Sequence, residues 1–192
     1  MVHNLLYGID HISRTVGHAF AWCVLILTLG TSYEVIVRYV FNNPTSWAFD
    51  LSYILYGALF LMAGAYTLSR NGHVRGDVIY RMWPPRVQGW IDLVLYFLFF
   101  FPGVLALVVA GWHYGYDAYK LQEVSVNSPA GVPVWQLKML IPFGAGLLVL
   151  QGIAEVLRCI LCIRDGQWPE RLQDVEELEK ELARQHAKEE QS

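Results

Sequence analysis

The chain has 192 residues, 55% hydrophobic and only 16% charged, with a formal net charge of −3 and a mean hydropathy of +0.33. A soluble domain carries about a quarter charged residues, so this composition excludes a nucleic-acid-binding protein, a secreted disulfide scaffold and a soluble catalytic domain. The apolar residues are blocked into four charge-free runs, 17–33, 51–69, 93–116 and 139–154. A helix needs roughly 20 mostly apolar residues to cross the hydrocarbon, and the shorter runs reach that length with a terminal charge at the headgroups. The expected fold class is an all-α membrane protein with four transmembrane helices, spanning residues 17–41, 47–69, 89–115 and 136–163 within one domain, 17–163.

In chain order, residues 1–16 contain His3, Asp10, His11 and Arg14 and lack the continuous apolar core of a signal peptide. Leu5, Ile9, Ile12 and Val16 fall at helical spacing and predict an amphipathic helix lying in the headgroup plane. After the first span, Asn42-Asn43-Pro44-Thr45-Ser46 predicts a tight turn, with Thr45 or Ser46 capping the second span. Pro84-Pro85 breaks the loop before the third span, and Pro102-Gly103 predicts a kink within it. Asn127 to Pro133 is a breaker-rich loop before the fourth span. The charged tail, 164–192, carries an apolar stripe of Leu172, Val175, Leu178 and Leu182 and predicts a solvated helix.

Lysine and arginine set the expected orientation. The N-tail, the loop at 70–88 and the tail after Ile163 together hold ten, against one, Lys120, in the two loops on the other side. The positive-inside rule therefore places both termini in the cytoplasm. Trp83, Trp90 and Trp168 then mark the inner interface, and Trp47, Trp112 and Trp135 the outer one. The three cysteines, Cys23, Cys159 and Cys162, all fall in or beside apolar runs, which is no disulfide framework. Cys159-x-x-Cys162 has metal-ligand spacing without a second pair or a nearby histidine, and reads as small apolar side chains on a helix.

Ionisable residues inside spans are functional suspects by default. Glu34 and Arg38, four apart near the outer end of the first span, and Asp50, opening the second, are expected to form one structural ionic cluster. Glu155 and Arg158, three apart near the inner end of the fourth span, read as a second structural pair. His18 and His113 lie at opposite ends of the bundle, so they do not share a haem iron. No nucleophile–base pair, phosphate loop or metal triad occurs, so neither catalytic nor cofactor residues are expected. Asp117, Lys120 and Glu123 are the charged residues of the long outer loop.

Arg38-Tyr39-Val40-Phe41, then Trp47 with Asp50, then Gly72-His73-Val74-Arg75-Gly76-Asp77, make an ordered set of motifs. It resembles the small (Q-type) permease subunit of tripartite ATP-independent periplasmic (TRAP) transporters over roughly residues 10–163. Positions Arg38, Tyr39, Phe41, Trp47, Asp50, Gly72, His73, Arg75 and Asp77 carry the resemblance. Two departures stand out. The family often has Glu, after a second acid, where this chain has Phe49-Asp50, and an aliphatic residue at Gly76. The resemblance implies a multi-pass protein of the bacterial inner membrane. It implies a large M-type permease subunit and a periplasmic substrate-binding protein as partners, and sodium-driven uptake of an organic anion. The sodium is expected on the large subunit, and the small one is expected to serve as scaffold and part of the docking surface, with Asp117, Lys120 and Glu123 of the long outer loop as the candidate contacts for the binding protein. A stand-alone four-helix scaffold or regulator, or a membrane redox subunit, is the alternative the residues leave open.

Overall fold

The computed structural model describes residues 2–70, 80 and 82–169. Among them are four long helices and no strand, only an isolated bridge between Val124 and Pro133. Helix α1 is Val2–Tyr39 and α2 is Ala48–Ser69. Helix α3 runs over Pro85–Lys120 and α4 over Trp135–Asp165. All four are long and apolar enough to cross a membrane.

Local chemistry explains the breaks. Asn42, in a left-handed conformation at φ 50°, turns the chain out of α1 ahead of Pro44. The N-cap of α2 is Trp47, with no side-chain cap bond, so the expected capping by Thr45 or Ser46 does not occur. Thr45 is used elsewhere, as described below. Pro85 occupies the first turn of α3, where a missing N–H costs nothing. Midway, the ladder opens into one π turn, Tyr96–Phe100, directly before Pro102. The proline has no N–H to close the α-helical bond, and the widened turn is how the helix absorbs it. Gly166, at φ 75°, ends α4 with its N–H on the Cys162 carbonyl at 2.8 Å.

Helices α1 and α2 form one antiparallel hairpin, α3 and α4 another, and α2 lies against α4 at the centre. Small residues let the backbones approach, as expected where lipid gives no hydrophobic push between helices. A Cβ on Gly144 of α4 would lie 2.9 Å from the Leu61 carbonyl of α2. One on Gly115 of α3 would lie 3.0 Å from the Lys138 carbonyl. Helices α1 and α3 flank this centre and expose apolar side chains such as Trp22, Leu29, Phe99 and Val109 along their outer faces.

The N-terminal expectation needs correction. Residues 2–16 are not a separate interfacial helix: α1 is continuous through that boundary. The stripe that packs inward is Leu6, Asp10, Ser13 and Gly17, while Leu5 and Ile12 are about half exposed. Burial follows the polar partners waiting on α4 rather than the apolar stripe. Of the tail, 170–192 lies outside the described residues, and with it the expected helix.

Candidate functional site: polar clasps at the two ends of the bundle

Among the described residues, side-chain networks toward the two ends of the bundle hold the charged residues of the spans; one of them joins the Tyr80 hydroxyl to Asp92 of α3 at 2.8 Å and the Trp168 indole N–H to Gln88 at 3.0 Å. The most deeply buried joins α1 to α4. Arg158 donates to both Glu155 and Asp10, and its Nε is buried without a hydrogen-bond partner. Gln151 donates to Asp10 at 3.0 Å and accepts from the Ser13 hydroxyl at 2.9 Å. Asp10, Gln151, Glu155 and Arg158 are all at most 4% exposed. On α4, Gln151, Glu155 and Arg158 follow spacings of four and three, so one face presents all three to α1.

At the other end, where the 121–134 loop lies, Glu34 is the acceptor for Arg38, with nitrogens at 2.6 and 3.0 Å. It also accepts from the Thr45 backbone N–H at 3.2 Å and from its hydroxyl. Glu34 therefore ties α1 to the turn that follows it. Asp50, 1% exposed, is turned away from that pair. Its carboxylate accepts from the hydroxyls of Ser125, at 2.6 Å, and Ser128, so α2 grips the loop before α4. Lys138 of α4 donates to both oxygens of Glu123, at 2.6 and 2.7 Å, and sits 4.2 Å from the Tyr114 ring centre of α3.

The expected single cluster of Glu34, Arg38 and Asp50 is thus two separate clasps. The reason is reach: two hydroxyls from the long loop meet Asp50 directly, whereas Arg38, its side chain 50% exposed, is already spent on Glu34. Of the motif positions, Tyr39 and Phe41 point outward, 79% and 69% exposed, and Trp47 stacks on Tyr33. Gly72, His73, Arg75 and Asp77 lie outside the described residues. Asp117 and Lys120, expected in the loop, are instead exposed on the last turn of α3, which continues helical to Lys120, and Lys120 lies over the Tyr116 ring at 4.4 Å. Glu123 is held by Lys138, which changes its availability to a partner. Sequence reasoning missed Asp10, Ser13 and Gln151. The signal was present: Asp10, Ser13 and Gly17 share a helix face that a purely apolar search passes over.

From Asp10 to Glu34 is 24 residues of α1, about 36 Å at 1.5 Å per residue. The networks therefore bracket a stretch comparable to the roughly 30 Å hydrocarbon. Among the described residues no group of His, Cys, Asp and Glu has the arrangement of a metal site. The chemistry available is fastening of helices and loops.

Residues 27–162 match the family described as tripartite ATP-independent periplasmic transporters, DctQ component. A relative from Vibrio cholerae serotype O1, named C4-dicarboxylate TRAP transporter small permease protein DctQ, is 27% identical over 88 residues. That stretch is 46% of this chain and 38% of the relative's length. The family match runs from the middle of α1 to near the end of α4 and contains the Glu34, Asp50 and Lys138 clasps and the α4 half of the Arg158 network. The chain belongs to the DctQ component family of tripartite ATP-independent periplasmic transporters.

Proposed function

We propose that this chain is the small accessory subunit of a sodium-driven, binding-protein-dependent TRAP transporter that takes up an organic anion across the bacterial inner membrane. It acts as a scaffold for a large permease subunit, and its long loop supplies part of the surface on which a periplasmic binding protein docks. The observation that carries this reading is the placement of polar groups. Among the described residues the buried charges are gathered toward the two ends of the bundle and bonded to one another, which leaves no charged stepping stones between the two groups. A transport path, with its sodium sites, then belongs to the partner. The apolar outer faces of α1 and α3 suit a subunit that widens a larger assembly in the bilayer. The positive-inside count supports cytoplasmic termini and, with them, a periplasmic 121–134 loop.

Reconstitution tests this. Proteoliposomes containing the chain, a large TRAP permease subunit from the same genome and its binding protein should accumulate substrate under an inward sodium gradient. The name of the Vibrio relative makes a labelled C4-dicarboxylate the first anion to try. The chain without the large subunit should give no sodium-dependent uptake. Uptake by the chain alone would overturn the accessory role, and full activity of the large subunit without it would favour a stand-alone scaffold.

A further inference from the structure

Between the loop-end halves of α2, α3 and α4 lies a groove of about 520 Å³, roofed by residues 124–127. Its chemistry is graded with depth. The Glu123–Lys138 pair stands at the rim, Tyr53, Tyr56 and Tyr114 come next, and Phe60, Leu61 and Ile141 form the deepest part. Phe60 is twelve residues below Ala48, about 18 Å along the helix axis. That is a little more than half of a roughly 30 Å hydrocarbon layer. There the groove closes, because Leu61 packs its backbone on Gly144 and Leu148 packs on Gly64. The groove is therefore one leaflet deep. A partner helix crossing the bilayer would need it to continue.

The polar groups match one kind of occupant. Tyr53 and Tyr56 are 54% and 61% exposed, and no hydrogen bond to either hydroxyl occurs among the described residues. A hydroxyl at that depth needs an acceptor, since hydrocarbon supplies none, and the ester carbonyls of a phospholipid lie there. Lys138 bonds both oxygens of Glu123 and lies over the Tyr114 ring, and its ammonium charge at the rim attracts a phosphate. The Glu123 side chain is 38% exposed, and a carboxylate has lone pairs for more than two hydrogen bonds. A primary ammonium donates to it, whereas a quaternary choline has no N–H. We propose that this groove binds one phosphatidylethanolamine of the adjacent leaflet, headgroup on Glu123 and Lys138, esters on the tyrosines, one acyl chain against Phe60.

Two experiments test this. With p-benzoylphenylalanine in place of Phe60, the full chain co-expressed with its large subunit is irradiated in cell membranes. The expected product is the chain carrying the mass of one phospholipid. Crosslinking to the large subunit or to a second copy would overturn the proposal. Separately, the delipidated chain is titrated by native mass spectrometry with phosphatidylethanolamine, phosphatidylcholine and phosphatidylglycerol of equal acyl length. Phosphatidylethanolamine should bind about tenfold more tightly than phosphatidylcholine, and Glu123→Gln should erase that preference. Tyr53→Phe with Tyr56→Phe leaves the ion pair intact and should weaken all three lipids about tenfold, the worth of two neutral hydrogen bonds. Equal binding of the three lipids, unchanged by the tyrosine variant, would mean bulk lipid contact only.

Discussion

Arg158 sits between two carboxylates, Asp10 of α1 and Glu155 of its own helix, and is only 1% exposed. Removing one partner of a buried ion pair costs about 3–5 kcal/mol, because the remaining charge stays desolvated. Arg158→Ala should therefore lower the thermal midpoint and folded yield of the detergent-purified chain strongly. Arg164→Ala, whose pair with Asp165 is largely in solvent, should leave both nearly unchanged. Arg38→Ala belongs with the mild group: the guanidinium is half exposed, and Glu34 keeps its bonds from Thr45. Equal losses for Arg38→Ala and Arg158→Ala would show that burial does not rank these pairs. Asp50 makes a different demand. Asp50→Ala releases Ser125 and Ser128, bonds to a charged acceptor worth about 1.5–3 kcal/mol each. The loop should loosen, and limited trypsin digestion should cut after Lys120 several-fold faster while the helices stay intact. An unchanged cutting rate would mean that the bridge of Ser125 to Val132 holds the loop by itself. These residues also mark the reach of sequence reasoning. Glu34 and Arg38 were legible as a pair because four residues make one helical turn. The partners of Asp50, 75 and 78 residues away, follow no local spacing.

At the scale of elements, hydropathy located the hydrocarbon-crossing part of each helix and undercounted what lies beyond it. Helix α2, Ala48–Ser69, matches its expected span almost residue for residue, because it has no polar extension. Helix α1 extends to Val2 and α3 to Lys120, since helical structure continues wherever an extension finds packing or polar partners. An apolar-run count is blind to such partners. The contact that fixes the centre was equally invisible: Gly144 has no local signature separating it from Gly146. Their surroundings differ sharply, as a Cβ at 144 meets the Leu61 backbone, whereas one at 146 meets nothing within 4 Å. Gly144→Ala should force α2 and α4 apart and destabilise by about 1–3 kcal/mol, the usual range for overpacking. Gly146→Ala should be neutral or slightly stabilising, through better helix propensity. Matched thermal melts of the two variants in one detergent decide the point, and equal midpoints would refute the close packing of α2 on α4.

At the scale of the described bundle, the buried charges fasten helices toward each end, and at one end they pin a loop to it. Pinning by Asp50 and by the Glu123–Lys138 pair gives the loop a fixed outline, which suits the docking role proposed for it. It also narrows which loop charges are free to act. Glu123→Lys would set two ammonium groups together at the groove rim and disturb the loop itself, so it is a poor probe of docking. Asp117 is exposed, and its backbone carbonyl, not its carboxylate, receives the Leu121 N–H that ends α3. Asp117→Lys therefore changes the field of the loop without removing a structural side-chain bond. If the proposed docking holds, the delivery partner must leave again, so its contacts should be small and partly electrostatic, with exposed charges acting mainly on encounter. In the reconstituted complex, Asp117→Lys should raise the binding-protein concentration for half-maximal uptake several-fold, leaving the maximal rate and complex assembly unchanged. The difference should shrink as salt is raised from about 0.05 to 0.3 M, because the Debye length falls below the spacing of surface charges. An unaltered concentration dependence at low salt, with assembly verified, would place docking on the large subunit alone.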